Sequence, residues 1–372
     1  MLSFCELTVD EFKAFAEKAP GNNFFQSVEM YKRYQDSPAN FEAYLLGVKN
    51  GKKVVLGALV TRMSNKKLPL LGENKMFATL RGPIMDYDAK NAKEILEVFF
   101  KGAKQFLKKR GGGALRISPN VILHPRNNDG EIQPDDEFQK DHSFILDWFK
   151  EMGLKNLGEY GLGKWLYGLD IKGKSLEEIF KNFRKGLRYN IKWAENRYHV
   201  EVREIHPEKS EEELKIFNEI LHETEARQGF NEQRSEAWQK DMMKYFGSKM
   251  KCYLAEVEIP EEPEKGKVPI AAGMFAMYGD EATYLLAGTK REYQKYGGAC
   301  LIIWRAIEYA HKHKIPLVNL YGAKPVRGNK LFEFKRGFQG HALELVGTFV
   351  LPINSYGKVY AKSKKYTEYL LD

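Results

Sequence analysis

The chain has 372 residues, 43% of them hydrophobic and 13% aromatic, which supplies ordinary packed cores and argues against disorder. Its formal charge of +9 favours a polyanionic partner (nucleic acid, a nucleotide diphosphate or an anionic lipid surface) without choosing among them. The three cysteines, Cys5, Cys252 and Cys300, are far apart and show no metal or redox spacing, which suits a reducing cytoplasm.

The start, MLSFCELTVDEF, lacks the basic and apolar regions of a secretory signal, and no run of 18 apolar residues occurs. Any membrane contact is therefore expected to be peripheral. The length suggests two domains. Helices are predicted over Val9–Ala19 and Ser27–Tyr34, the second with Ser27 as its cap. Strands are predicted over Phe41–Val48 and Lys53–Met63, joined at Asn50-Gly51. A short strand, Phe77–Leu80, then runs into Arg81-Gly82-Pro83. The amphipathic helix Ala89–Lys109 ends at three glycines, and the strand Leu115–Ser118 follows it. Residues 124–141 read as a polar loop, Asp141–Met152 as a helix and Trp165–Ile171 as a strand.

The pattern then starts again. Ser175–Asn182 caps and begins a helix, and Lys181–Tyr198 is strongly basic. Val200–Ile205 is a predicted strand, followed by helices at Glu211–Gln228 and Ser235–Phe246 with a break at Gly229. Strands at Lys251–Val257 and Ile270–Tyr278 flank an acidic hairpin. Ala282–Gly288, the helix Ala299–His313 and the strand Leu317–Leu320 complete the series. Strand, strand, strand, helix, strand is the order of a GNAT-like acyltransferase unit, and both halves show it in outline, so the expected class is α/β (α+β).

Near the C-terminus, Asn319-Leu320-Tyr321-Gly322 reads as a strand end and a tight turn. In Phe334-Lys335-Arg336-Gly337-Phe338, aromatics flank two cations, and a single alternating strand is expected from Leu343 to Leu351. A partly dry cation there suits an anionic group or a developing oxyanion. The same residues also read as a helix end with solvated cations.

Leu331–Pro352 resembles the C-terminal signature of the Fem-type (FemABX) peptidyltransferases, which use aminoacyl-tRNA to build the interpeptide bridge of bacterial peptidoglycan. Other segments resemble the family in the same order. They are Phe25-Gln26-Ser27 with Tyr31-Lys32, Arg81–Tyr87, Arg184–Glu195, Arg227-Gln228-Gly229-Phe230 with Arg234, and Tyr284–Thr289. The resemblance implies two GNAT-like domains, at 1–167 completed by 346–372, and at 168–345. Several members carry a long coiled arm in the second domain. Pro207–Phe246 holds only two ordinary helices, so the chain resembles the subgroup without the arm.

The resemblance also implies roles. Lys335 matches the lysine of an F-K-x-G-F motif and would stabilise the tetrahedral intermediate. Lys32 and Arg234 match cations that hold the acceptor's diphosphate. Trp238 would stack on sugar or uracil, Tyr284 would face substrate, and Phe334 would line the acceptor tunnel, with core packing as the alternative for each. Arg184, Arg188 and Lys192 recur at helical spacing in a segment rich in cations and aromatics. They are the expected face for the tRNA acceptor arm, or else a solvated basic helix.

The expected partners are aminoacyl-tRNA and UDP-MurNAc-pentapeptide or lipid II, with no cofactor, in a cytoplasmic monomer, with peripheral contact at the inner membrane face left open. Two rival functions remain open. Gln294-Lys295-Tyr296-Gly297-Gly298-Ala299 fits the pyrophosphate loop of an acetyl-CoA-dependent GNAT N-acyltransferase. The basic charge also fits a non-catalytic RNA-binding protein. The eight histidines show no ligand cluster, so no metal is expected.

Overall fold

The computed structural model describes residues 1–37, 42–63, 74–159, 163–206, 209–228 and 234–368, of 364–368 the backbone only. Phe41, Pro207, Gly229 and Phe230, named above, lie outside the described residues. The chain divides into two compact units. Unit 1 comprises 1–126, 132–165 and 343–372, and unit 2 comprises 127–131 and 166–342. Residues 127–131, expected in the first domain, group with unit 2.

Unit 1 is built on a mixed sheet with strand order Leu2–Glu6, Ala43–Asn50, Lys53–Arg62, Lys75–Arg81, Gly112–Pro119, Phe349–Pro352 and Lys155–Asn156. Neighbours run antiparallel except Lys75–Arg81 and Gly112–Pro119, which are parallel. The parallel pair needs a crossover, and the helix Ala92–Lys108 supplies it. Its apolar residues recur at helical spacing, so Ile95, Leu96, Phe99, Phe100, Ala103 and Leu107 all enter the core. The strand Leu2–Glu6 escaped the sequence reading because its alternation is weak; pairing with Ala43–Asn50 holds it.

Unit 2 repeats the plan. Its strands run in the order Glu201–Ile205, Met250–Glu258, Lys267–Tyr278, Glu281–Thr289, Leu317–Gly322 and Trp165–Asp170. Again one pair, Glu281–Thr289 with Leu317–Gly322, is parallel, and the helix Gly298–Lys312 makes the crossover. That helix buries Leu301, Ile302, Ile303, Ala306 and Ile307 in the core. Both units therefore carry the strand–helix–strand heart of a GNAT-like fold.

One predicted element is wrong in a way that shapes the C-terminus. The strand expected over Leu343–Leu351 is two strands, His341–Leu345 and Phe349–Pro352. Gly347 breaks it with φ +89°, a conformation that a β-carbon disfavours. A β-carbon on Gly347 would also lie 2.7 Å from the carbonyl oxygen of Gly158. After the break, Phe349–Pro352 inserts between Gly112–Pro119 and Lys155–Asn156.

Candidate active site

The helix Lys330–Arg336 begins at Asn329, whose Oδ1 accepts the amides of Leu331 and Phe332, each at 3.0 Å. Its buried face is Phe332 and, one turn on, Lys335, which is only 6% exposed. Lys335 Nζ donates to the carbonyl oxygen of Gly322 at 2.6 Å. Among the described residues no carboxylate pairs with it. Glu333 instead meets Arg184 and Arg336, at 3.4 Å each. Burial without a counter-charge pushes Lys335 down to about 7, so both protonation states are populated near neutrality. Lys335 is thus not a solvated helix-end cation. Phe334 is half-buried and lies edge-on to buried Phe338 at 5.8 Å.

The carbonyl that holds Lys335 is itself held. Tyr321 sits in the left-handed region at φ +65°, and its amide donates to Asn319 Oδ1 at 2.7 Å. The Asn319 side-chain amide donates to Glu281 Oε1 at 2.9 Å, and Thr283 Oγ1 donates to the same carboxylate oxygen. Asn319, Glu281 and Thr283 are all buried, on the two parallel strands. A buried polar network with its partners in place fixes one geometry. Here it fixes the strand end that presents Gly322. Arg234 lies over the rings of Trp238 and Tyr321, at 5.7 and 5.8 Å, so two of the expected residues share one cluster beside Gly322. Sequence reasoning marked the turn at Tyr321-Gly322 but assigned no role to Asn319, Glu281 or Tyr321.

In unit 1, buried Gln26 clamps two strands. Its Nε2 donates to the Leu80 carbonyl at 2.7 Å and its Oε1 accepts the Leu59 amide at 2.7 Å. Arg81 follows, buried and at φ +54°, with Nη2 donating to the Gly163 carbonyl at 2.9 Å. A cavity of about 290 Å³ opens there, lined in part by Arg81, Asp86, Tyr87, Asp88, Lys140 and His142. Ser27 Oγ caps the helix Val28–Gln35 by accepting the Met30 amide, and Lys32 is exposed on that helix.

Other expected residues lie elsewhere. Tyr284, expected to face substrate, has its ring in the core of unit 2, stacked on Phe275 at 4.4 Å with its planes 9° apart. Burial raises its phenol above the ordinary range.

Of the three residues expected to meet tRNA, Arg184 and Arg188 are half-buried and turned toward the protein, while Lys192 is exposed. Arg188 Nη1 donates to the carbonyls of Lys181 and Phe183, at 2.5 and 2.6 Å, and so closes the end of the helix Leu176–Asn182. Arg184 meets Glu333, and Lys192 leans over the Phe180 ring at 5.8 Å. The reason is that Leu187, Ile191 and Ala194 form the buried stripe of the helix Lys185–Asn196, which sets the adjoining Arg184 and Arg188 against their neighbours and leaves Lys192 at the surface. Arg336, the second cation between the flanking aromatics, is paired with Asp129 at 2.6 Å.

The coenzyme-A-like loop is crowded at Gly297, while Gln294 and Lys295 are exposed. A β-carbon on Gly297 would lie 2.9 Å from the Asn190 carbonyl oxygen and 3.3 Å from Ala194 Cβ, so the helix Lys185–Asn196 occupies the space over that helix start. Among the described residues no group of three His, Cys, Asp or Glu side chains could hold a metal ion. No helix among them is long and apolar enough to cross a membrane.

Comparison with known proteins matches the chain to a family. The FemAB family model aligns with residues 7–265 and 261–365. The aminoacyltransferase FemA of Staphylococcus aureus (strain bovine RF122 / ET3-1) is 25% identical over 428 aligned positions, covering 97% of each chain. Among solved structures, the crystal structure of FemX superposes with TM-score 0.78 at 16% identity, covering 97% of this chain and 100% of that one. A tandem GNAT protein from the clavulanic acid biosynthesis pathway superposes at 0.55 and 12% identity, covering 95% and 99%. At such identities the two structures speak for the fold.

Proposed function

This chain belongs to the FemAB family, and from that premise we propose that it moves an amino acid from aminoacyl-tRNA to the side-chain amine of the stem peptide in a muramyl-pentapeptide precursor of the cell wall. The amine nitrogen attacks the ester carbonyl, and a tetrahedral oxyanion forms. The bond to the ribose oxygen then breaks, and the proton released by the amine ends on the tRNA hydroxyl. The ester supplies the activation, so the reaction needs no cofactor.

The observation that carries this reading is the buried Lys335, held by the Gly322 carbonyl and tuned to about 7. In its charged form it stabilises an oxyanion more than a neutral carbonyl, which lowers the barrier without tightening the ground state. Arg234, over Trp238 and Tyr321, is a cation suited to an acceptor phosphate, and exposed Lys32 is a second in unit 1. The crowding of the helix start at Gly297 weighs against an acetyl-CoA-dependent reaction in unit 2.

The test is a mass-shift assay. UDP-MurNAc-pentapeptide and its lipid-linked form are each incubated with mixed charged tRNAs, and separately with acetyl-CoA. The expected result is a gain of one amino-acid residue on one of the two acceptors, only with charged tRNA. An acetyl mass gain, or no gain on either acceptor, would overturn the proposal.

A further inference from the structure

The face of the helix Lys185–Asn196 that points away from the core lies in the segment of cations and aromatics expected to meet tRNA, but it is not the Arg184–Arg188–Lys192 face singled out there. It carries Lys185, Tyr189, Trp193 and Arg197 at successive four-residue steps, which places them in one row. Tyr189 is 47% exposed and Trp193 46%, two of the few large hydrophobic side chains left in solvent. Their rings are 6.1 Å apart and tilted by 31°. Lys185 lies over Tyr189 at 5.8 Å, and Arg197 lies over Trp193 at 5.4 Å and over Tyr198 at 5.5 Å. The row therefore sets two adjacent planar rings between cations.

Three further observations bear on what this row meets. From Lys181 to Tyr198 there are six cations and one acid, and that acid, Glu195, is taken by Arg305 at 2.7 Å. The first turn has no acidic residue and starts with Arg184 and Lys185, cations that oppose the helix dipole at this end. Gly186 sits in that turn with nothing within 4 Å of where a β-carbon would be, so no packing demand explains a residue that weakens helices. It leaves the helix surface low beside Lys185.

The geometry points to a docking surface for single-stranded RNA, with bases stacking on Tyr189 and Trp193 and phosphates meeting Lys185 and Arg197. Every base has a π-face, and aromatic rings between cations are the usual platform for an unpaired strand. A membrane surface fits less well. The apolar stripe an interfacial helix would insert, Leu187, Ile191 and Ala194, is spent on the protein core, and the outer row holds no aliphatic side chain. This inference rests on the proposed use of charged tRNA and assigns the strand that leads to its aminoacyl end to this row, in place of Arg184, Arg188 and Lys192.

The experiment measures binding of the full chain to deacylated tRNA and to a short unpaired oligoribonucleotide over a salt series, alongside sedimentation with vesicles of phosphatidylglycerol and phosphatidylethanolamine. Tyr189→Ala/Trp193→Ala should weaken both RNAs by roughly tenfold per ring with an unchanged salt slope. Lys185→Gln/Arg197→Gln should reduce the slope of log affinity against log salt by about 1.4, two single-strand contacts at roughly 0.7 each. Tyr189→Phe/Trp193→Phe keeps both π-faces and should bind as the parent does, which separates lost stacking from lost folding. Unchanged RNA affinity and slope in both double variants overturns the proposal. So does loss of vesicle binding with RNA binding intact.

The two proposals fail separately. RNA binding through the row by a chain that transfers nothing sinks the proposed function alone. Transfer at the parental Michaelis constant for charged tRNA in the Tyr189→Ala/Trp193→Ala variant sinks the docking surface alone.

Discussion

Lys335 Nζ donates to the carbonyl oxygen of Gly322 at 2.6 Å, joining the last turn of a short helix to the end of a parallel strand 13 residues earlier. This bond gives a buried lysine a fixed direction. The Asn319–Glu281–Thr283 network sets the direction of the carbonyl. The buried lysine and the polar network therefore meet at one backbone oxygen.

Replacing Lys335 by Met should lower the transfer rate by about two to three orders of magnitude, the size of one lost oxyanion stabiliser. The Michaelis constant for the acceptor should change little. Steady-state kinetics with saturating charged tRNA measure both, and near-parental turnover would remove Lys335 from the mechanism.

The same residue ties stability to pH. Its folded value of about 7 lies below the roughly 10.4 of an unfolded lysine. Between these values the unfolded chain binds more protons, so stability rises with pH across the window. Below about pH 7 the charge is buried and the penalty is complete; above the unfolded value it vanishes. Lys335→Met abolishes this dependence. The stability difference, variant minus parent, should therefore fall from pH 7 to 10.5 by an amount on the order of 5 kcal/mol as an upper bound. Urea unfolding at pH 6.5, 8 and 9.5 reports it, and a flat difference would mean that Lys335 is not buried as a depressed base.

Asn319→Ala should act at a distance. It removes the partner of the Tyr321 amide and one partner of buried Glu281, costing roughly 2–4 kcal/mol. Because it also frees the strand end that presents Gly322, the turnover number should fall in the folded variant while acceptor affinity holds. Parental turnover in a destabilised variant would confine Asn319 to packing.

Lys32→Ala and Arg234→Ala, each tested alone, should weaken binding of UDP-MurNAc-pentapeptide by roughly 1.5–3 kcal/mol if each donates a charge-assisted bond to phosphate. A muramyl peptide without the diphosphate should bind each variant as it binds the parent. Equal losses for both ligands in calorimetric titrations would assign the residue to the fold.

Arg188→Gln should destabilise the chain by about 1–2 kcal/mol, because the guanidinium closes the carbonyl end of the helix Leu176–Asn182. The Michaelis constant for charged tRNA should stay near parental. A large rise in that constant with unchanged urea stability would return Arg188 to the RNA surface.

Much of this protein was set locally by its sequence. Ser27, Ser175 and Ser235 each cap the helix they were read as starting, and the Asn50-Gly51 hairpin pairs as its turn residues dictate. These features depend on neighbours in the chain. So does the ordered set of motifs that points to the FemAB family.

Tertiary packing decided the rest, because burial is a property of the whole fold. Two rows one residue apart, Arg184–Arg188–Lys192 and Lys185–Tyr189–Trp193, look equally fit to face solvent, and charge favours the first. Packing of Leu187, Ile191 and Ala194 turned the aromatic row outward and set the arginines on neighbouring carbonyls and on Glu333. The alternation from Leu343 to Leu351 conceals the left-handed break at Gly347, since a period of two carries no backbone sign. Lys335 reads as an ordinary helix-end cation until the fold removes its water, and a pKa near 7 exists only once no carboxylate replaces that water.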